Sequence, residues 1–237
     1  MNAFKTLPVV ALLLCLHATT RAAVPLPGSF DDLPTPPALN DAIGLFYANN
    51  GSSLYAGVLW DDRFSVAGIQ YSTAPNSVPP GPLYGIPHSG SYYLTNASQN
   101  LPAGLSNDGL LITTTKLLTG AYFGRNEYYG FGAGADQITI SALGATGVIG
   151  TPVVFNLLEL RAGEPEFLQF VNTQSFASLT GITGYRIDRR EGPSQGGQWV
   201  ADDFTFVAAA PVPEPETYAM LLAGLAVLGW TRRRRTR

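Results

Sequence analysis

Between Ala23 and Ala210 no segment sustains a helical period; short runs of β-branched and aromatic residues recur instead, each ended by Gly, Pro, Asn or Ser. That punctuation confines the chain to short strands joined by turns. The runs are Tyr55 to Trp60, Phe64 to Tyr71, Ser91 to Asn96, Gly109 to Leu118, Gly120 to Phe123, Gln137 to Leu143, Val148 to Leu160, Phe167 to Phe170, Gly184 to Arg189 and Trp199 to Val207. Ile138 to Leu143 alternates apolar and polar residues, the pattern of a sheet with one buried face. The expected fold is all-β: one β-sandwich or jelly-roll-like ectodomain over residues 23–210. Asn172 to Leu179 can form a helical turn. The proline-rich stretches 25–37 and 75–87 are expected to be loops.

Composition narrows the class. The 26 glycines follow no period of three, which excludes collagen, and 46% apolar residues are too many for a disordered chain. Residues 23–210 hold 15 acidic side chains against seven basic ones, a balance of −8. A surface of that sign does not suit nucleic acid.

The basic residues outside this body sit at the two ends. Residues 1–22 read as a secretory signal peptide, with Lys5 as the positive region, Leu7 to Leu16 as the apolar run and Thr20-Arg21-Ala22 as the cleavage site. Leu14 precedes Cys15 where lipid attachment needs a small residue, so acylation is not expected. Once the signal is removed no cysteine remains, which leaves no thiol for disulfides or catalysis. At the other end Val212-Pro213-Glu214-Pro215 is followed by an apolar stretch, 218–230, and a basic tail, 232–237, with Arg232, Arg233, Arg234 and Arg235. As a helix the apolar stretch rises about 20 Å, short of the roughly 30 Å hydrocarbon core. Snorkelling arginines and Trp230 at the interface make up the difference, and the positive tail holds the end in the cytoplasm.

This order of motif, apolar helix and arginines over residues 211–237 closely resembles the PEP-CTERM sorting signal of Gram-negative bacteria. The resemblance implies an exported substrate of an exosortase-like membrane enzyme. Such a protein is anchored transiently in the inner membrane by its tail and then reaches the envelope, the surface or a matrix containing exopolysaccharide. More diffusely, Ser29-Phe30-Asp31-Asp32-Leu33 and Val200-Ala201-Asp202-Asp203-Phe204-Thr205-Phe206 resemble the first and last strands of jelly rolls common in such proteins, which implies that fold and a tendency to bind glycans.

Three features bear on chemistry. Carboxylates are paired at Asp31/Asp32, Asp61/Asp62 and Asp202/Asp203. Adjacent strand residues point to opposite faces, so one pair does not chelate an ion by itself. If the first and last strands are neighbours, Asp31 or Asp32 approaches Asp202 or Asp203, and these oxygens suit a structural Ca²⁺; the alternative is that they keep strand edges acidic. Ala121 to Phe131 is rich in aromatic residues and glycine, and Tyr122, Tyr128 and Tyr129 are candidate glycan contacts, with core packing as the alternative. One of the neighbours Tyr92 and Tyr93 is expected to be exposed. His88 stands beside Ser89 without a Gly-x-Ser-x-Gly elbow, so it reads as a loop histidine. Glu127, Glu159, Glu164, Glu166 and Glu191 are the material for a glycosidase pair, with solvated surface as their default. Arg186, Arg189 and Arg190 lie among acids and are expected to pair internally. No catalytic residue and no certain cofactor emerges. The expectation is a non-enzymatic structural or glycan-associating surface protein, against the alternatives of a secreted polysaccharide hydrolase or lyase and a protein–protein adhesion module.

Overall fold

The computed structural model describes residues 26–71, 87–96, 108–126, 134–158, 168–191 and 197–209, together with Ala223 and Leu225. The signal peptide, the sorting motif Val212 to Pro215, the arginines 232–235, and Tyr128 and Tyr129 lie outside them. Short strands dominate: β1 (Leu26–Gly28), β2 (Ala42–Gly44), β3 (Leu54–Tyr55), β4 (Val58–Trp60), β5 (Ser65–Gly68), β6 (Tyr92–Thr95) and β7 (Leu110–Thr113). They are followed by β8 (Leu117–Arg125), β9 (Gln137–Gly144), β10 (Gly147–Asn156), β11 (Gln169–Asn172), β12 (Gly184–Arg190) and β13 (Trp199–Val207). One helical turn, Leu45–Ala48, and a 3₁₀ turn, Gln174–Ser178, interrupt them.

The strands form two antiparallel sheets. In the first the order is β11-β8-β13-β6-β5-β2, with β1 also paired to β13; in the second it is β10-β9-β12-β7-β4-β3. Two apolar runs that read as single strands are each divided. Ala56 and Gly57 both adopt left-handed φ values, 53° and 67°, and turn Tyr55–Trp60 into the β3–β4 hairpin. Two left-handed residues are what a two-residue hairpin needs to match the twist of its strands. The run Gly109 to Leu118 crosses between layers: Leu110–Thr113 belongs to the second sheet, and from Leu117 the chain enters the first.

The sandwich is closed by aromatic side chains. Trp60 meets Phe30, Phe64, Phe204 and Phe206 edge-on, with ring centroids 5.0 to 6.0 Å apart, so the start, middle and end of the chain share one core. Each such pair contributes about 0.5–1.5 kcal/mol beyond the area it buries. Tyr185 of the second sheet ties the layers by polar contacts: its hydroxyl accepts the Leu118 N–H at 2.8 Å and donates to the Lys116 carbonyl at 3.0 Å. Burial pushes its phenol above the ordinary value, as a group held neutral requires. A second, smaller cluster of Ala67, Tyr71, Tyr93 and Val200 packs apart from this core. Neither tyrosine of the Tyr92–Tyr93 pair is the exposed residue expected: Tyr93 is buried there, and half-buried Tyr92 donates its hydroxyl to the Pro37 carbonyl.

What positions the site is the last strand. Along one side of β13, β1 and β6 lie end to end, β6 opposite Val200 and Ala201 and β1 opposite Phe204 to Phe206. The gap between them falls at Asp202 and Asp203. Against β8 the register shifts there, and Asp203 has a left-handed φ of 51°. Among the described residues no helix is long and apolar enough to cross a membrane.

Candidate functional site

Two segments enter the gap in β13. After β1 the chain turns at Phe30, whose φ of 63° sends its ring into the core and leaves Asp31 and Asp32 outside. Before β6 the segment 87–91 folds across the strand. The bulge at Asp203 breaks the regular alternation of neighbouring side chains, and both carboxylates reach the same residue: the Ser89 N–H donates to Asp202 Oδ2 at 2.9 Å, and the Ser89 hydroxyl donates to Asp203 Oδ1 at 2.8 Å. Asp31 Oδ1 accepts the Ser91 N–H at 2.7 Å.

Asp202 is fully buried, and burial, followed by the neighbouring charges of Asp203 and Asp31, pushes its carboxyl up to about 8 despite the Ser89 and Asp203 amides that favour the anion. Asp32 does not join this corner; its Oδ1 accepts the Tyr55 hydroxyl at 2.5 Å. Desolvation first, and then that carboxylate, raise the Tyr55 phenol well above its usual range. Among the described residues no group of three or more His, Cys, Asp or Glu side chains is placed to hold a metal ion. The structure thus brings Asp31, Asp202 and Asp203 to one loop, with each carboxylate already engaged by a different donor and Asp32 turned elsewhere.

His88 is the residue that joins this corner to an aromatic surface. Its Nδ1 lies 2.6 Å from Asp203 Oδ2; an ionised carboxylate only accepts, so Nδ1 carries the hydrogen. Its ring stacks on Tyr122, centroids 3.4 Å apart and planes 14° from parallel. Tyr122 in turn meets Phe170 at 5.2 Å, its direct cross-strand partner on β11. Phe170 lies across Gly120, where a side-chain carbon would collide with the ring. Laid against a glycine in this way, a ring is held in place without being enclosed, and Phe170 remains 48% exposed. Phe170, Tyr122 and His88 therefore make an aromatic ladder along the sheet, bordered by Ser89 and Asp203.

The same contacts speak against a Ser-His-Asp relay. Such a relay needs the serine hydroxyl on the second imidazole nitrogen, whereas Ser89 gives its hydrogen to the carboxylate that already holds His88.

Other sequence candidates resolve as structural contacts. Burial works to raise Asp61, but the Arg63 guanidinium and the amides of Arg63 and Leu111 outweigh it and hold the acid below its ordinary value. Arg63 also donates to the carbonyls of Asp108 and Gly109, which pins β7 to the β4–β5 turn. Arg186 pairs with Asp188, Arg189 with Glu191 and Arg190 with Asp136. Glu127, Glu159, Glu164 and Glu166 lie outside the described residues, and Glu191 is taken by Arg189. An open depression of about 210 Å³ is lined by Leu59, Trp60, Asp61, Asp62, Leu111 and Thr113 of the second sheet, away from this corner.

Sequence reasoning placed Tyr122 and the two terminal aspartate pairs among the candidates but missed His88, Ser89 and Phe170. Their roles come from contacts over 34 to 115 positions, and the only local signal was a histidine beside a serine in a Gly/Pro loop.

Residues 211–235 match the PEP-CTERM protein-sorting motif. No curated protein matches the chain. Among solved structures, a DUF4465 family protein from Bacteroides caccae is similar over 61% of this chain and 73% of that one, at 14% identity and a TM-score of 0.40. The K2 cleaved adhesin domain of Lys-gingipain is similar over 78% of this chain and 99% of its own length, at 14% identity and a TM-score of 0.38.

Proposed function

We propose that this protein acts on the outside of the cell without catalysis, as a glycan-associating component of the surface or of its exopolysaccharide matrix. The sorting motif at 211–235 implies export to the cell envelope or surface and processing by an exosortase, a membrane enzyme. The finer reading adds transient inner-membrane anchoring through residues 218–230 and Arg232 to Arg235 before release to the surface.

The observation that carries the glycan role is the open ladder Phe170–Tyr122–His88. Sugar rings present C–H faces that stack on aromatic rings and hydroxyls that need polar partners, and here the rings run beside Ser89 and Asp203. An open face of this kind suits retention rather than turnover, which wants an enclosed site with converging acid and base. The test is a pull-down on exopolysaccharide from the producing cells: Phe170→Ala loses retention while its melting temperature stays close to that of the parent. Retention unchanged in this variant removes the ladder from the function.

Structural Ca²⁺, expected at Asp31, Asp32, Asp202 and Asp203, is a separate proposal on which the glycan role does not rest. It is confined to Asp31, Asp202 and Asp203, because the Tyr55 hydroxyl holds Asp32, and it requires these three to leave their present donors. Its support is a buried acid with two acidic neighbours. A rise in melting temperature with Ca²⁺ over chelator sustains it, and no rise removes it.

A further inference from the structure

Charge is not shared evenly between the two faces. Among the described residues, Arg186, Arg189 and Arg190 belong to β12 of the second sheet, Arg63 clamps the start of β7, and Lys116 donates to the Ala56 carbonyl in the β3–β4 turn. The remaining one, Arg125, is buried at the end of β8. The ladder on the first sheet is bordered instead by Asp203, 20% exposed at its side chain and bonded to the stacked His88, with Asp31 behind it. The body as a whole carries −8.

Resting on the glycan reading above, we propose that the ladder takes glycans bearing free amino groups, polymers of partly N-deacetylated amino sugars, in preference to neutral ones and to the exclusion of uronic-acid polymers. One sugar ring stacks on Phe170, and the ammonium group of a sugar further along the same chain, at the His88 end of the ladder, faces the Asp203 carboxylate in a charge-assisted hydrogen bond. An ammonium group over an aromatic ring gains a further attraction from the ring's negative face. A polyuronate meets the opposite: carboxylates brought against Asp203 and Asp31 on a body of the same sign. Asp203 uses one position on each oxygen for His88 and Ser89, and a carboxylate has about four such positions, so it can accept a third donor without surrendering either.

Three oligosaccharides of equal length separate the possibilities on the detergent-solubilised full chain by calorimetry: a chitosan oligomer, a cello-oligomer and an oligogalacturonate. The chitosan oligomer is expected to bind about tenfold more tightly than the neutral one, the worth of one charge-assisted contact, with salt reducing the difference. Asp203→Asn, which keeps a residue suited to left-handed φ, brings chitosan and cello-oligomer binding to one level and removes the salt dependence. Phe170→Ala removes both. Asp188→Asn on the opposite sheet changes neither. Equal affinity for all three, preference for the galacturonate, or an equal loss in Asp188→Asn overturns this inference and leaves the glycan reading in place. Absence of binding to every oligomer overturns both.

Discussion

The His88 imidazole lies parallel to the Tyr122 ring at 3.4 Å while its Nδ1 is 2.6 Å from Asp203. One side chain thus fastens the segment before β6 to two strands, β8 through stacking and β13 through a hydrogen bond. His88→Ala removes both contacts. Stacked aromatic pairs are worth about 0.5–1.5 kcal/mol, and a hydrogen bond to a carboxylate adds about as much where it is partly solvated. The expected loss is about 1–2 kcal/mol in chemical denaturation. A midpoint equal to that of the parent shows that the stack does not hold the segment.

Asp202 makes stability depend on pH. Its ordinary value is 3.8, and in the fold the carboxyl is pushed up to about 8 by burial, then by Asp203 and Asp31. The folded protein therefore keeps a proton that the unfolded chain releases between those values. The stability this proton supplies is complete in acid and is lost as pH rises towards 8. In chelator the unfolding free energy should fall from mildly acidic to alkaline conditions, by up to about 1.4 kcal/mol per pH unit for one group, and the melting temperature with it. Asp202→Asn should flatten this slope. An unchanged slope in the variant assigns it to another group.

Two glycines with left-handed φ offer a matched comparison. At Gly90, φ 61°, an added methyl would run into the Asp31 carboxylate, whereas at Gly181, φ 73°, it meets nothing within 4 Å. Both alanine variants bear the backbone cost of about 1 kcal/mol. Gly90→Ala should cost more, because Asp31 must leave the Ser91 amide. Equal losses in thermal melts contradict the contact between the two segments at the β13 gap.

The architecture was largely legible in the sequence because its carriers are local. Ten runs bounded by Gly, Pro, Asn and Ser marked most of the long strands, and Ile138–Thr139–Ile140 alternates as its buried, half-buried and buried positions do, although Ser141 after it is buried as well. β1 and β2 were not legible: three residues beside prolines carry no period, and Leu26–Gly28 is a strand only because β13 supplies its partner. Division of Tyr55–Trp60 was hidden for a different reason, since Ala56 takes a left-handed φ that its residue type does not advertise. At the site, the aspartate pairs were visible as a pattern, but strand alternation argued against their cooperation. The bulge at Asp203 overrides that alternation, and a register shift depends on the partner strand.

The sorting motif can be tested apart from the sandwich. Changing Pro213 and Pro215 to alanine removes two of the residues on which the motif at 211–235 is built. In the producing organism the variant should accumulate unprocessed in the membrane fraction, while the parent is recovered at the surface. Equal surface recovery, followed by immunoblot of cell fractions, contradicts processing through this motif.

The most direct test of the glycan role is retention of the parent chain and of Phe170→Ala on exopolysaccharide, with folding checked in the same samples by circular dichroism. The parent should be retained and the folded variant should pass through. Equal retention of both proteins, or of neither, contradicts the assignment of the Phe170–Tyr122–His88 ladder as the binding surface.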